Sequence, residues 1–298
     1  MLTHPVSTVK IVPFLFINDI SASTRGLLSL CDDSRCTKSA NTLINEENNK
    51  VVSSLCENTQ LRVRARISVI NYSNYLEVMV PDPDKPGEYK FEYYPGCGED
   101  NPDIDPYFNP ISEVKGHLPE IKPTGGCTYT ARAIDAACDL RCEYSKQILS
   151  YSVCDVSPSV IVLFTDGDEC WQESDEYIDQ VARRVNELSY AQETDKKTIF
   201  IVVGLGDNLS EKTKKNLARF GEPLLGKGGF FWIKGETDDK IQKGIEALYA
   251  LIGQSIVASS SYVENSVNDT VDGSIDSLLA NLRQQVQEIC PDLVCTIE

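Results

Sequence analysis

Three short apolar segments constrain the fold of this chain most strongly. They span residues 9–17, 159–164 and 198–205, and each is hydrophobic on both alternating faces. A strand with this pattern must be covered on both sides by other elements of the fold. None approaches the length of about eighteen apolar residues that crosses a bilayer. The three segments therefore predict buried central strands of one sheet.

Helical and extended patterns alternate along the rest of the chain. Residues 61–72 alternate like a strand, and residues 75–80 form the returning arm of a hairpin. Helices are expected at about 40–56, after residue 126, and at 177–188, 210–220 and 241–257. This alternation predicts an α/β fold with a doubly wound, mostly parallel central sheet, helices on both faces and one antiparallel edge strand. Ligands of such folds bind beyond the carboxyl ends of the strands.

The domain organisation follows from the same pattern. Residues 1–258 are predicted to form one domain, interrupted by an irregular proline-rich insert at about 81–119. Residues 259–298 are predicted to contain a polar linker and a C-terminal amphipathic helix at about 275–289.

Charge and cysteine content narrow the classes of partner. The chain carries 45 acidic and 28 basic residues, for a formal net charge of -17. Such a charge repels phosphate backbones and anionic lipids, so neither nucleic acid nor a membrane is an expected partner. Eleven cysteines are sparse for a disulfide scaffold, and their number is odd. With no cleavable signal pattern, these features predict a reducing, cytoplasmic location.

Oxygen-bearing side chains follow three of the predicted strands and turns. Asp19, Ser21 and Ser23 come after the first strand, Thr128 follows a glycine pair, and Asp166 follows the strand at 159–164. Hydroxyls, carboxylates and water suit Mg²⁺, and Mn²⁺ accepts the same ligands. Few carboxylates in direct contact would leave the ion electron-poor, and an open coordination position could then be completed by a Glu or Asp of a partner protein.

The spacing of these residues resembles a known family. Asp-x-Ser-x-Ser, Gly-Gly followed by Thr-x-Thr-x-x-Ala-Ile, and Thr-Asp-Gly occur in that order, as in von Willebrand factor type A domains and their metal-ion-dependent adhesion site. The resemblance covers about residues 8–258. It implies a non-enzymatic module that binds a protein through Mg²⁺, with Mn²⁺ or Ca²⁺ as substitutes. It also implies Ser21, Ser23 and Thr128 as direct ligands, and Asp19 and Asp166 as direct or water-mediated ones.

Two positions depart from the family pattern. Cys127 lies between the glycine pair and Thr128, and Ala22 and Thr24 stand where many relatives have glycine and methionine. The residues 253–260 are similar to the end of the TerY-like branch of tellurium-resistance proteins. That resemblance implies an intracellular bacterial scaffold in stress-resistance or phage-defence complexes.

Other interpretations of these residues stay open. A metal-dependent phosphotransfer hydrolase could use Asp19 as its nucleophile, although Ser21 replaces the second aspartate expected there. Ser and Asp also cap helices and turns, so a metal-independent scaffold is a second alternative. The two histidines, His4 and His117, do not suit a Ser-His-Asp triad. Calcium in the insert and structural zinc at the cysteine pairs are further, weaker alternatives.

Overall fold

The computed structural model describes most of the region expected to form the domain. The described residues are 9–21, 24, 40–94, 107–124, 126–151, 154–166, 173–193, 195–206, 209–225, 229–233, 248–250, 252–253, 256, 284 and 294–296. The expected linker and C-terminal helix lie outside these residues, apart from residue 284, and so do residues 95–106 of the insert.

A mixed sheet forms the centre of the fold. Its strands are β1 (Val9–Asp19), β2 (Ala65–Tyr72), β3 (Leu76–Pro81), β4 (Tyr89–Tyr93), β5 (Asn109–Pro110), β6 (Cys154–Val156), β7 (Ser159–Thr165), β8 (Thr198–Leu205), β9 (Gly229–Ile233) and β10 (Val294–Thr296). The order across the sheet is β10-β9-β8-β7-β1-β2-β3-β4, while β5 pairs with β2 and β6 with β1. From β9 to β2 all neighbouring strands are parallel. The predicted fold class is therefore confirmed.

Six helices with defined bounds connect and cover the strands of the described region: α1 (Ala40–Glu57), α2 (Thr59–Arg64), α3 (Ile111–Val114), α4 (Thr130–Ser150), α5 (Asp175–Ser189) and α6 (Glu211–Leu225). Residues 248–250, 252–253 and 256, within the helix expected at 241–257, are also helical. Short polar side chains begin several of them, since Ser174 accepts the amide of Tyr177 and Ser210 accepts the amide of Thr213. Such caps satisfy amides that have no partner inside the helix.

Two apolar layers cover the opposite faces of the sheet. Phe14 and Phe16 of β1 belong to the layer formed with α1 and α2, whereas Leu15 and Ile17 belong to the layer formed with α4, α5 and α6. Because successive side chains of a strand point to opposite faces, β1 contributes to both layers. Burying a side chain of this size stabilises the fold by about 1.5–3 kcal/mol. This explains why β1 is apolar at every position from 14 to 17.

The structure corrects one boundary of the predicted elements. Residues 61–64, expected as the start of a strand, belong to α2. The side chain of Asn58 accepts the amides of Gln60 and Leu61 at 3.0 and 3.2 Å, which begins a helix there. Leu61 is buried in this helix. Residues 61–64 therefore form a helix although their apolar residues alternate as in a strand, because the Asn58 cap stabilises the helix.

The antiparallel part of the sheet is larger than one edge strand. β3 pairs with β2 and then with β4, which lies inside the proline-rich insert, and all these pairs are antiparallel. At the opposite edge β10 pairs antiparallel with β9, so residues 294–296 return to the sheet. The sequence patterns indicated neither β4 nor β10.

The order of the strands reverses between β1 and β7. From β1 the chain continues outward to β2, whereas β7 leads outward in the other direction to β8 and β9. Loops that leave two neighbouring strands in opposite directions open a crevice at their carboxyl ends. The candidate residues Asp19 and Asp166 stand at the ends of these two strands.

Candidate functional site

Asp19 is the centre of a hydrogen-bond network at the carboxyl end of β1. Its side chain is fully buried, and the amide of Ser21 donates to Oδ1 at 2.8 Å. The hydroxyl of Thr165, the last residue of β7, donates to Oδ2 at 2.8 Å. The Ser21 hydroxyl and the backbone of Asp166 also hydrogen-bond to this carboxylate. One carboxyl group thus connects the ends of β1 and β7.

Thr24 is hydrogen-bonded to the backbone of Ser21. The amide and the hydroxyl of Thr24 both donate to the carbonyl oxygen of Ser21, at 3.3 and 2.7 Å. The side chain of Asn41 in α1 donates to the Thr24 hydroxyl at 2.7 Å. Thr24 therefore binds the carbonyl group of Ser21, and α1 anchors Thr24 through Asn41.

Tyr72 joins the end of β2 to the same region. Its fully buried hydroxyl lies 3.2 Å from the hydroxyl of Thr130, the first residue of α4. Burial raises the pKa of Tyr72 well above its ordinary value, and the negative charges of Asp19 and Asp166 raise it further. The carboxylates of Asp19 and Asp166 therefore both act on the buried phenol of Tyr72, which lies near the ends of β1, β2 and β7.

The loop that carries Thr128 packs against this network. The amide of Thr124 donates to the carbonyl oxygen of Ile20 at 3.1 Å, so the loop lies beside the end of β1. Gly126 has a φ of +110°, and a Cβ at this position would come within 2.5 Å of Oδ1 of Asn74. Only glycine fits such a close approach without rearrangement. Thr128 follows this turn and is buried, with 3% of its surface exposed.

Glu173 is a polar residue of this region that the sequence patterns did not single out. Its carboxylate accepts the amides of Ala131 and Arg132 at 3.0 and 2.8 Å, at the amino end of α4. An acidic group there satisfies amides without helical partners and interacts favourably with the helix dipole. Since Glu173 is 42 residues from Ala131 in sequence, no local capping motif could have indicated it.

The Asp19 carboxylate has no basic partner in the described part of the chain. No Lys, Arg or His forms an ion pair with Asp19 there. Burial raises the pKa of the Asp19 carboxyl group above its ordinary value of 3.8, and the surrounding hydrogen bonds offset only part of this increase. A desolvated carboxylate is stabilised by a nearby cation. Chemically, the donor set suits a hard divalent ion.

The structure brings several of the predicted ligands together. Asp19, Ser21 and the backbone of Asp166 are in direct contact. Thr128 lies in the adjoining loop, and Ser23 is outside the described residues. Among described side chains, no group of three or more His, Cys, Asp or Glu residues is arranged to hold a metal. A site of this kind would therefore rely on hydroxyl oxygens as well as on the two carboxylates.

Cys127 forms a disulfide directly before Thr128. Its partner is not one of the four cysteines described as free, Cys56, Cys138, Cys142 and Cys154. Disulfides persist mainly in oxidising compartments. This bond departs from the expectation of a reducing location.

A separate cleft lies between α5 and α6. It has a volume of about 710 Å³ and is lined mostly by charged residues. Those charges are largely paired with each other: Lys212 lies 3.7 Å from Asp175, and Arg219 forms an ion pair with Asp179. The cleft therefore indicates no particular class of ligand.

Comparison with known proteins supplies similar folds only. The sequence matches no protein family and no curated protein. Among solved structures, a von Willebrand factor type A protein from Catenulispora acidiphila is similar over 84% of this chain and 43% of its own, with 11% identity and a TM-score of 0.46. Proximal thread matrix protein 1 from the mussel byssus, with a zinc-occupied MIDAS motif, is similar over 83% and 47%, with 13% identity and a TM-score of 0.44.

The human COPII-coat protein Sec24c is also similar, over 83% of this chain and 32% of its own, with 12% identity and a TM-score of 0.49. The chain spans less than half the length of each of these three structures. In the part of the chain that is described, no helix is long and apolar enough to cross a membrane.

Proposed function

We propose that this protein is a binding module that grips a partner protein through a divalent cation. The observation that carries the proposal is the buried carboxylate of Asp19, which contacts the ends of two neighbouring strands and has no ion pair with a basic side chain in the described region. A buried anion in this position favours a bound cation, because a cation compensates the cost of removing the carboxylate from water.

The proposed ligands are Asp19, Ser21, Ser23, Thr128 and Asp166. The contacts among Asp19, Ser21 and Asp166 support a common site, and the packing of the Thr124 amide on Ile20 brings the Thr128 loop to the same edge of the sheet. Mg²⁺ is the proposed ion, with Mn²⁺ or Ca²⁺ as substitutes, since hydroxyl and carboxylate oxygens suit hard cations.

A bound ion would supply an electrophilic centre that accepts a Glu or Asp side chain of the partner. The role of the protein is to orient the hydroxyl and carboxyl ligands and to leave that position accessible. Thr165 and Tyr72 support this role, because their hydroxyls hold Asp19 and the start of α4 in place. We propose binding and not catalysis, since the chain has only two histidines and neither follows a strand that contributes a ligand.

The wider setting is part of the proposal. We infer one domain over residues 1–258 and a tail over residues 259–298, and we place the protein in a bacterial stress-resistance or phage-defence complex on the basis of the resemblance of residues 253–260 to the TerY-like branch. A cytoplasmic location belongs to the same proposal, and the disulfide at Cys127 weighs against it.

Capture of partners in Mg²⁺ and in EDTA tests the function. The matched variants are Thr128→Ala, which removes a proposed ligand, and Thr124→Ala, which changes an exposed side chain of the same loop. We expect wild type and Thr124→Ala to retain a partner in Mg²⁺ and to release it in EDTA, whereas Thr128→Ala binds weakly in both. Equal, EDTA-insensitive binding by all three would instead indicate a metal-independent scaffold.

A further inference from the structure

The edge strand β4 has backbone groups on its outer side that pair with no other strand of the described part of the chain. Among the residues that the structure describes, β4 pairs only with β3. The amide of Tyr94 donates to the carbonyl oxygen of Leu76, and the amide of Asp82 donates to that of Glu88, at 2.9 and 2.8 Å. Because hydrogen-bonded pairs alternate along an antiparallel ladder, Lys90 and Glu92 also bond to β3.

The intervening residues Tyr89, Phe91 and Tyr93 therefore direct their amide and carbonyl groups away from β3. The pairing of Tyr89 with Pro81, which has no amide hydrogen, agrees with this alternation. Tyr89 and Phe91 pack their rings on the apolar layer formed with α1 and α2, while Tyr93 is 66% exposed. Such an edge can accept another extended strand.

The charged side chains of β4, Lys90 and Glu92, determine which extended strand can pair with it. We propose that β4 pairs antiparallel with β4 of a second copy of this chain, about a two-fold axis at Phe91. In this register Phe91 faces Phe91 and Tyr89 faces Tyr93, and all the outward backbone groups find partners. Lys90 of each copy then faces Glu92 of the other, at positions where side chains approach most closely.

The neighbouring registers are unfavourable. Shifting the axis towards Lys90 places two lysines opposite each other, and shifting it towards Glu92 places two glutamates opposite each other, which is destabilising. Either shift also shortens the paired region. Lys90 and Glu92 are only partly covered, with 36% and 51% of their side chains exposed and 2.8 Å between Nζ and Oε1, so they can exchange partners.

The dimer has a consequence for the orientation of the metal-site edges. β4 runs in the same direction as β1, since two antiparallel steps separate β2 from β4. Antiparallel pairing of the two β4 strands makes the β1 strands of the two copies run in opposite directions. The carboxyl-end edges of the two sheets then face opposite ways, so the dimer would join two separate partners and not hold one partner twice.

Charge reversal provides the sharpest test of this dimer. Lys90→Glu and Glu92→Lys each place like charges opposite each other, so each variant of the full chain is expected to sediment as a monomer where wild type forms a dimer. An equimolar mixture of the two variants restores opposite charges at both positions and is expected to form a heterodimer. Recovery in the mixture could not occur if the substitutions simply damaged the fold.

A backbone substitution tests the hydrogen bonds separately. Tyr93→Pro removes an outward amide but no bond to β3, and Tyr93→Val removes the ring while keeping the amide. We expect the dimerisation constant of the Pro variant to be at least about tenfold weaker than that of the Val variant. A wild-type chain that stays monomeric at about 1 mM, or a mixture of the charge variants that stays monomeric, would overturn the proposal.

Discussion

Replacing Gly126 by alanine tests the packing of the loop that carries Thr128. Gly126 has a φ of +110°, where a residue with a side chain costs about 1–3 kcal/mol. The new Cβ would also lie 2.5 Å from Oδ1 of Asn74, which is exposed and must rotate away. That rotation breaks the bond from the Ser73 hydroxyl to Asn74 and costs about 0.5–1.5 kcal/mol. The expected loss of unfolding free energy is therefore about 1.5–4.5 kcal/mol.

Gly87→Ala is the matched control for this experiment. Gly87 has a φ of +86°, and no described atom outside its chain neighbours lies within 4 Å of a Cβ built there. It should therefore show the backbone cost alone, about 1–2 kcal/mol in urea unfolding. In an Asn74→Ala background, where the bond from Ser73 is already absent, the cost of Gly126→Ala should be about 1 kcal/mol smaller, whereas the cost of Gly87→Ala should not change.

The same variants connect the loop to the proposed cation. Gly126→Ala should gain less stability from added Mg²⁺ than wild type, because the loop before Thr128 is displaced, whereas Gly87→Ala should keep the full gain. If Gly126→Ala unfolds like Gly87→Ala and responds equally to Mg²⁺, the loop does not pack as described and the reasoning is refuted.

Three further substitutions test the surroundings of the site and the fold. Tyr72→Phe leaves the hydroxyl of Thr130 without its buried partner and should lower the unfolding free energy by about 1–2 kcal/mol; no change in urea unfolding would contradict the contact. Arg141→Lys removes buried bonds, including the one from Nε to the Ser159 hydroxyl at 3.0 Å, and should cost about 2–3 kcal/mol, whereas a cost under about 0.5 kcal/mol would contradict it. Burial raises the pKa of the Glu173 carboxyl above its unfolded value of 4.5, so wild type should gain stability relative to Glu173→Gln as the pH falls from 7 through the folded pKa. A stability difference that is independent of pH would show that the pKa of Glu173 is not raised.

The sheet could be predicted because its strands carry their own signal. The segments that became β1, β7 and β8 are apolar on both faces, and the structure covers both faces of each. The edge strands β4 and β10 carry no such signal, since they are short elements whose formation depends on a neighbouring strand. The sequence pattern did not predict the start of α2, because residues 61–64 fit both a strand and a helix, and the cap formed by the Asn58 side chain favours the helix.

For the candidate site, motif order and strand ends together predicted where the polar residues meet. The contacts of Asp19 with Ser21 and Asp166 agree with that expectation, although binding of an ion by these residues stays a prediction. The contributions of Thr165, Tyr72 and Glu173 could not be predicted, because each depends on a contact between residues that are far apart in sequence. Thr165 is 146 residues from Asp19, and no local pattern connects them.

Titration of Mn²⁺ into the purified chain, followed by electron paramagnetic resonance, tests the central claim most directly. Free Mn²⁺ gives a sharp signal that weakens when the ion is bound, so the number of bound ions is read without any partner protein. We expect one Mn²⁺ per wild-type chain, displaced by excess Mg²⁺, and much weaker binding in Asp19→Ala and Thr128→Ala, while Thr124→Ala binds like wild type. Unchanged binding in Asp19→Ala and Thr128→Ala, or no bound Mn²⁺ in wild type, would contradict the claim that these side chains hold a cation at the ends of β1 and β7.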